Sequence, residues 1–282
     1  GSGKTTCLMM RAGFEAAGQA VHCYISPHLV RFDERITLAG QPISEAQLAD
    51  VLARTLEAND GKPVTYFEAI TCAAFLAFSE TPAHILILEV GMGGTGDTTN
   101  VLAKPALTII TPVSLDHQAY LGETLAEIAA EKAGILKRLV PCVLGPQADE
   151  ALDTIEARAA RLGVPLQAHG QHWHVWEERG RLVFQDETGL LDLPMPVLNG
   201  PHQIPNAGTA IAAMRHCGLG EDACAAAMTN ARWPGRMQRL HYGPLVDAAP
   251  EAEIWLDGGH NESASQALSA TLNTMAARPT HL

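Results

Sequence analysis

The sequence predicts an α/β fold with a mostly parallel sheet, a small antiparallel β section and the start of a second domain. Short apolar strands alternate with helices over residues 21–162, which is typical of a doubly wound sheet. A glycine-rich phosphate-binding loop opens the chain, as in many folds of this class. Three short apolar segments separated by turns follow residue 172 and predict the antiparallel section.

The chain opens on Gly1-Ser2-Gly3-Lys4-Thr5-Thr6, which matches the second half of a phosphate-binding loop. Backbone N–H groups of such a loop bind polyphosphate, Lys4 adds a positive charge, and the Thr5 hydroxyl reaches a nucleotide-bound Mg²⁺. Residues 4–17 predict a helix, whose positive N-terminal end would face the phosphates. No strand and no outer glycine precede Gly1, so we expect the sequence to begin inside a domain.

Apolar runs and helical spacing predict the remaining elements of the parallel sheet. The run at 85–90 is apolar without alternation, as in a central strand covered by helices on both faces. Ser44 and Gln47 form a predicted capping box at the start of a helix. The other predicted strands are 21–25, 106–111 and 140–144, and the predicted helices are 43–59, 65–79, 123–137 and 150–162.

The later part of the chain predicts a domain junction. Helices are predicted at 204–217 and 221–230, and the Trp-Pro-Gly-Arg stretch at 233–236 has the composition of a junction. We expect one domain over 1–235, a linker over 236–243 and the start of a C-terminal domain over 244–282. One strand at 253–256 and one helix at 261–276 cannot close a core, so we expect this second domain to be incomplete.

The composition excludes several classes of partner. The chain has 282 residues, and its 31 acidic and 19 basic residues give a formal charge of −12, which argues against nucleic acid or an anionic membrane. Its six cysteines are scattered without a CxxC pair, which favours free thiols in a reducing cytoplasm over disulfides or zinc. No apolar run is long enough to span a bilayer. We therefore expect a cytoplasmic protein.

Three polar side chains lie at or just after the ends of predicted strands: Ser26, Glu89 and His117. Because the carboxyl ends of parallel strands meet at one edge of a sheet, we expect them to lie near Thr5 of the phosphate loop. Mg²⁺ takes few protein ligands and completes its shell with phosphate oxygens, so this edge predicts a Mg²⁺–nucleotide site. The alternatives are a solvated strand end for Glu89 and a structural core histidine for His117.

The sequence resembles the bifunctional dihydrofolate synthase/folylpolyglutamate synthase family of the Mur ligase superfamily. Matching stretches cover almost the whole chain in the family's order: SPHLVRFDERI (26–36), TYFEA (65–69), EVGMGG (89–94), DTTNV (97–101), SLDHQAYLGETLAEIAAEKAGI (114–135), GPHQIPNA (200–207), WPGRMQ (233–238) and DGGHN (257–261). The resemblance implies a P-loop, Mur-ligase-like central domain and the start of a Rossmann-like C-terminal domain that serves glutamate ligation. It also implies that the sequence is truncated at both ends.

The implied activity is an ATP-dependent amide ligation. Such an enzyme adds L-glutamate to dihydropteroate, to folyl(poly)glutamate or to both, through an acyl phosphate. The implied cofactor is Mg²⁺, with one or two ions per site, because two anions must be brought together and charge neutralised where it develops. The implied partners are these small molecules, and the family implies a monomer.

The resemblance also assigns roles by position. Ser26, Glu89, His117 and Thr5 are implied metal ligands, and His117 is also an implied catalytic residue. Lys132 is implied to be a catalytic lysine that is carbamylated and then holds a second Mg²⁺. Without the motif, Lys132 would be interpreted as a helix-surface lysine.

Further assignments concern the nucleotide and the acceptor. The implied ATP contacts are the loop residues Gly1, Ser2, Gly3, Lys4, Thr5 and Thr6, together with Asn206, Arg236, Asp257 and His260. The residues implied to face the pterin-bearing substrate are Thr65, Thr95, Asp97 and Thr98.

The sequence departs from the family at three positions. Lys4 directly precedes Thr5, whereas the family reads Gly-Lys-Gly-Ser/Thr, so an ungapped match puts Gly3 at the family's lysine. Thr95 stands where the family has an arginine in a mobile loop, and Glu262 replaces a proline. Two alternatives stay open. One is a Mur-type ligase for a peptidoglycan precursor, favoured only by the Lys4–Thr5 order. The other is an inactive nucleotide-binding fragment of the folate ligase, suggested by the expected absence of the strand before the loop and of most of the second domain.

Overall fold

The computed structural model describes residues 2–259, 261–275 and 279–281. Its first part alternates strands and helices, as predicted. The elements in chain order are α1 (Ser2–Ala16), β1 (Val21–Tyr24), a 3-10 turn (Phe32–Arg35), β2 (Ile36–Leu38), β3 (Gln41–Pro42), α2 (Glu45–Asn59), α3 (Tyr66–Glu80), β4 (Ile85–Leu88), β5 (Thr108–Ile110), α4 (Gln118–Leu121), α5 (Leu125–Lys132), a second 3-10 turn (Ala133–Ile135), β6 (Cys142–Leu144), α6 (Asp149–Leu162) and β7 (Leu166–Ala168).

Two sheets carry this part of the chain. One has the order β3-β2-β1-β4, in which β1 and β4 are parallel and β2 and β3 are antiparallel additions. The other has the order β5-β6-β7 and is parallel throughout. Within the described residues, β4 and β5 are edge strands of their sheets, and both border the cavity described below. The predicted, mostly parallel α/β architecture is confirmed.

The antiparallel section is also confirmed. It consists of β8 (Trp173–Glu178), β9 (Arg181–Asp186) and β10 (Gly189–Pro194), in the order β10-β9-β8. Helix α7 (Gln203–His216) packs against β8 so closely that a Cβ on Gly208 would lie 2.5 Å from Val175 Cγ1. Helices α1, α7 and α8 (Glu221–Asn230) and this sheet share one hydrophobic core.

The last part of the chain contains β11 (Gln238–Leu240), α9 (Pro244–Ala248), β12 (Ile254–Leu256) and α10 (Glu262–Thr274). Strands β11 and β12 pair antiparallel, so residues 238–240 of the predicted linker form a strand that pairs with the segment after it. The domain bounds at 235 and 244 stay predictions. No helix in the described ranges is long and apolar enough to cross a membrane.

Local signals explain where the helices begin and end. Ser44 accepts a hydrogen bond from the Gln47 amide, and the predicted capping box is confirmed. The helix predicted at 123–137 is instead split, because Thr124 caps α5 and the chain tightens into the second 3-10 turn after Lys132. A Cβ on Gly134 would lie 2.2 Å from Thr95 Oγ1, which shows how closely the glycine-rich loop packs on this turn.

Candidate active site

A cavity of about 650 Å³ runs along β4 and β5 and extends past their carboxyl ends. The walls include the start of α1, the loops after both strands, α7, residues 257–259 and Asn261. Ten of the residues assigned from the sequence line it: Ser2, Gly3, Thr5, Thr6, Glu89, His117, Lys132, Asn206, Arg236 and Asp257. The fold therefore brings together side chains that are more than 250 positions apart in the sequence.

The helix that follows the phosphate loop begins earlier than predicted, at Ser2 instead of residue 4. Ser2 and Gly3 therefore lie in the first turn of α1, where backbone N–H groups have no partner within the helix. Because α1 runs for 15 residues, its N-terminal end presents a positive potential to this wall of the cavity. Gly1 lies outside the described residues.

Lys4 and Glu89 form a buried ion pair at the base of this wall. Lys4 Nζ lies 2.7 Å from Glu89 Oε2, and the two side chains are only 6% and 14% exposed. Lys4 also donates to the Ser26 carbonyl and lies 5.6 Å from the centroid of a Trp233 ring. The Ser26 amide donates to Glu89 Oε2 at 2.8 Å. Lys4, Ser26 and Glu89 are therefore brought together, and Glu89 is not a solvated strand end.

His117 lies in the loop after β5, which forms a second wall of the cavity, and it is exposed. It precedes α4 with a left-handed backbone at φ = 51°. Its Nε2 atom lies 3.9 Å from Asp116 Oδ1, which accepts a 2.9 Å hydrogen bond from the His117 amide. His117 is thus not a structural core histidine.

Lys132 ends α5 and lines the cavity near the same wall. Burial lowers the pKa of Lys132, and the Asp116 carboxylate partly opposes this by raising it. Lys132 is half-buried and lines the cavity, so it is not a solvated helix-surface lysine. A lowered pKa enlarges the fraction of free amine, the nucleophilic form of a lysine side chain.

The nucleotide-side assignments from the last part of the chain also meet the cavity. Asp257 accepts from the amides of Met237 at 2.8 Å and Gly259 at 2.7 Å, so its carboxylate organises the junction around it. Arg236 lies so near that a Cβ on Gly258 would be 2.7 Å from its Nη1. Asn206 is buried in α7. His260 lies outside the described residues.

The four residues assigned to the acceptor substrate are not among the described residues that line the cavity. Thr65 caps α3. Asp97 accepts from Met92 N at 2.9 Å and from Thr99 Oγ1 at 2.5 Å, and so fixes the glycine-rich loop. Thr95 Oγ1 donates to the Glu131 carbonyl at 3.3 Å, and Thr98 Oγ1 to Thr71 at 3.3 Å. Their side chains serve local structure.

Two polar side chains were missed in the sequence, although both lie within the quoted stretches: His202 at the cavity, and Arg35, which is not among its described lining residues. His202 lines the cavity, and its Nδ1 is buried without a hydrogen-bond partner among the described residues. Burial lowers the pKa of His202, against an opposing contribution from Asp257. Arg35 is 7% exposed and lies 5.5 and 5.9 Å from the rings of Phe32 and Tyr66. The SPHLVRFDERI and GPHQIPNA stretches were the signals available for them.

The donor chemistry of Glu89 and Thr5, which line the cavity, fits Mg²⁺. Among the described residues no three His, Cys, Asp or Glu side chains cluster as metal ligands. Mg²⁺ does not need such a cluster, because it binds through one or two carboxylates with phosphate and water oxygens. Glu89 supplies a carboxylate and Thr5 a hydroxyl at the cavity wall, and these are hard oxygen donors.

Curated relatives carry the names that the resemblance implied. The chain is 33% identical over 95% of its length to a Bacillus subtilis dihydrofolate synthase/folylpolyglutamate synthase, and 34% identical over 96% to the Escherichia coli protein of that name. It spans 64% and 61% of the lengths of these two relatives.

Solved structures agree. Escherichia coli FolC in complex with DHPP and ADP superposes with a TM-score of 0.89 at 32% identity, over 99% of this chain and 64% of that one. A bifunctional folylpolyglutamate synthase/dihydrofolate synthase with Mn, AMPPNP and L-glutamate bound has a TM-score of 0.84 at 33% identity, over 97% of this chain and 64% of that one. The predicted resemblance is confirmed. The Mur ligase middle domain matches residues 2–214, more than half of the chain, and the chain therefore belongs to the Mur ligase family.

Proposed function

We propose that this chain carries the nucleotide site of an ATP-dependent ligase that adds L-glutamate to dihydropteroate, to folyl(poly)glutamate or to both. The observation that carries the proposal is the convergence of the α1 start, Glu89, His117, Lys132 and Asp257 on one cavity. Relatives and solved structures named for this activity support it. We also propose a cytoplasmic monomer, as the family resemblance implies.

In this proposal the first turn of α1 binds the phosphates of ATP. The backbone N–H groups at Ser2 and Gly3 supply donors, and the helix end supplies positive potential. Lys4 is already held beside Ser26 and Glu89 by the buried ion pair, so its charge is positioned before nucleotide binds. Asn206, Arg236 and Asp257, which line the same cavity, also contact the nucleotide in this proposal.

We propose that Thr5, Ser26, Glu89 and His117 hold Mg²⁺. Bound there, Mg²⁺ neutralises charge on the two anions that must meet. The free amine of Lys132 attacks CO₂ in this proposal: an N–C bond forms, a proton leaves the nitrogen, and the ammonium is replaced by a carbamate. The lowered pKa and the half-buried position of Lys132 support this step.

The acceptor side remains a proposal built on the glycine-rich loop. We propose that Thr65, Thr95, Asp97 and Thr98 shape the pterin side by fixing backbone, since their side chains are engaged in local hydrogen bonds. Tyr66 is 62% exposed beside Arg35, and a flat heteroaromatic ring can stack on such a surface.

The test is phosphate release from ATP in the presence of L-glutamate and either dihydropteroate or tetrahydrofolate. Release with dihydropteroate supports the synthase activity, and release with tetrahydrofolate alone narrows the activity to polyglutamylation. Glu89→Gln serves as the matched inactive control, because it removes one charge and keeps the side-chain volume. The proposal would be refuted if neither acceptor led to phosphate release, both with this chain and with a version extended to the length of the relatives.

A further inference from the structure

The side chain of Asn261 makes two hydrogen bonds that join separate parts of the molecule. Its Oδ1 accepts from the Ala264 amide at 2.8 Å and so caps the start of α10. Its Nδ2 donates to Asp116 Oδ2, also at 2.8 Å, across 145 positions of sequence. One amide group therefore connects a helix cap with the loop that carries His117.

Helix α10 covers the cavity between two points of attachment. Its inner face presents Ala264, Ala267 and Leu268 to the cavity, which is the spacing of one helix face. Near its other end Thr271 is 2% exposed and packs so near Gly200 that a Cβ there would lie 2.6 Å from Thr271 Oγ1. The Asn261–Asp116 bond is the attachment at the first end.

Asp116 is suited to this contact. Its Oδ1 is occupied by the His117 amide, which leaves Oδ2 for Asn261. A carboxylate acceptor makes the bond charge-assisted and therefore stronger than a bond between neutral groups. An aspartate at position 261 would cap α10 equally well, so the amide of Asn261 is needed only for the bond to Asp116.

We propose that Asn261 is a positioning residue, which pins the start of α10 to Asp116 and thereby holds the 257–259 loop and its Asp257 against the cavity. The bond to Asp116 sets the position of α10, and the cap bond passes that position to the helix backbone. The proposal rests on the proposed nucleotide site only for its binding readout.

The test uses four variants of the full chain. Asn261→Asp keeps the cap and replaces the donor by a second carboxylate, and Asn261→Ser keeps the cap without reaching Asp116. The double variant Asn261→Asp with Asp116→Asn exchanges donor and acceptor, so that both bonds and the His117 contact can form again. Ser44→Asp is the control, because it places the same extra charge at the exposed cap of α2.

Hydrogen exchange of the α10 amides is the first readout, and ADP binding measured by calorimetry is the second. We expect Asn261→Asp and Asn261→Ser to speed exchange in α10 roughly tenfold and to weaken ADP binding by a similar factor, while Ser44→Asp changes neither. We expect the double variant, Asn261→Asp with Asp116→Asn, to restore slow hydrogen exchange in α10.

Two results would overturn the proposal. One is a hydrogen-exchange rate in α10 that is unchanged in Asn261→Asp. The other is a double variant whose α10 amides exchange as fast as those of Asn261→Asp. Faster exchange in α10 with unchanged ADP affinity would overturn it as well, because the bond of Asn261 would then hold nothing that the nucleotide uses. A wild-type chain that does not bind ADP would refute the proposed function instead, and the exchange comparison would still decide whether the pin exists.

Discussion

The two walls of the cavity differ in how their charges are satisfied. At the phosphate-loop wall, Lys4 and Glu89 are buried, paired at 2.7 Å and further bonded to the Ser26 backbone. At the other wall, His117 is exposed, and Lys132 is half-buried with a pKa lowered by burial. The first wall is preorganised, and removing one partner of its ion pair would leave a buried charge unpaired. At the second wall, burial disfavours the charged form of Lys132, as is common for groups at reactive sites.

We expect the largest effect on stability from removing Lys4, the buried cation of the phosphate-loop wall. Lys4→Met leaves the Glu89 carboxylate buried without its counter-charge, so we expect a loss of about 3 kcal/mol in the free energy of unfolding. Urea denaturation of this variant against Lys104→Met, an exposed lysine, measures the effect. A loss no larger than that of the control would show that the pair contributes nothing to stability.

Gly134 connects the two walls, because the glycine-rich loop after β4 packs on the turn that follows Lys132. Gly134→Ala places a methyl group 2.2 Å from Thr95 Oγ1 and 2.5 Å from the Thr95 amide nitrogen. We expect a loss of about 2 kcal/mol in the free energy of unfolding, and weaker packing of the glycine-rich loop on this turn. Gly96→Ala, in open space on the same loop, is the matched control for thermal unfolding. Equal melting temperatures for the two variants would contradict this packing.

His202 should make stability depend on pH. Because its pKa is lowered in the folded protein, the unfolded chain binds the proton first, and stability falls as pH drops from about 6.5 through the lowered value. His202→Asn should remove part of this pH-dependent loss of stability. The change in the free energy of unfolding should be less than about 1 kcal/mol. His216→Asn, at an exposed histidine, is the control in denaturation at pH 7 and pH 5. The effect would be contradicted if the free energy of unfolding changed equally between pH 7 and pH 5 in the wild type and in both variants.

Lys132 should give the smallest change in stability. Lys132→Met removes a cation that burial disfavours, so we expect a shift of less than about 1 kcal/mol, neutral or stabilising at pH 7. Phosphate release should nevertheless be abolished. The wild-type stability should rise with pH between the lowered pKa and about 10.4, the unfolded value, and this rise should be absent in the variant. A strongly destabilised Lys132→Met would place Lys132 with Lys4 as a structural residue.

The sequence was sufficient for features that depend on local pattern. The apolar run that became β4 and the Ser44–Gln47 cap were both predictable from neighbouring residues. Strands β2, β3 and β7 were missed, because two or three residues are too few to show a period. The resemblance supplied the site residues, but the Lys4–Glu89 pair joins positions 85 apart and only the tertiary fold reveals it.

The acceptor side was the least predictable for the same reason. Position alone assigned Thr95 and Asp97 to the substrate, yet the fold uses their side chains to fix a loop. Conversely, His202 lay within a recognised stretch. Among the described histidines it is distinguished by a buried Nδ1 without a hydrogen-bond partner, which only the tertiary structure reveals.

Calorimetric titration with ADP, in the presence and absence of Mg²⁺, tests most directly whether the preorganised wall is a metal–nucleotide site. The comparison is between the wild-type chain and Glu89→Gln. We predict that Mg²⁺ strengthens ADP binding to the wild type and has no such effect on Glu89→Gln. An equal gain from Mg²⁺ in both proteins, or a wild-type chain that binds no ADP, would contradict this account.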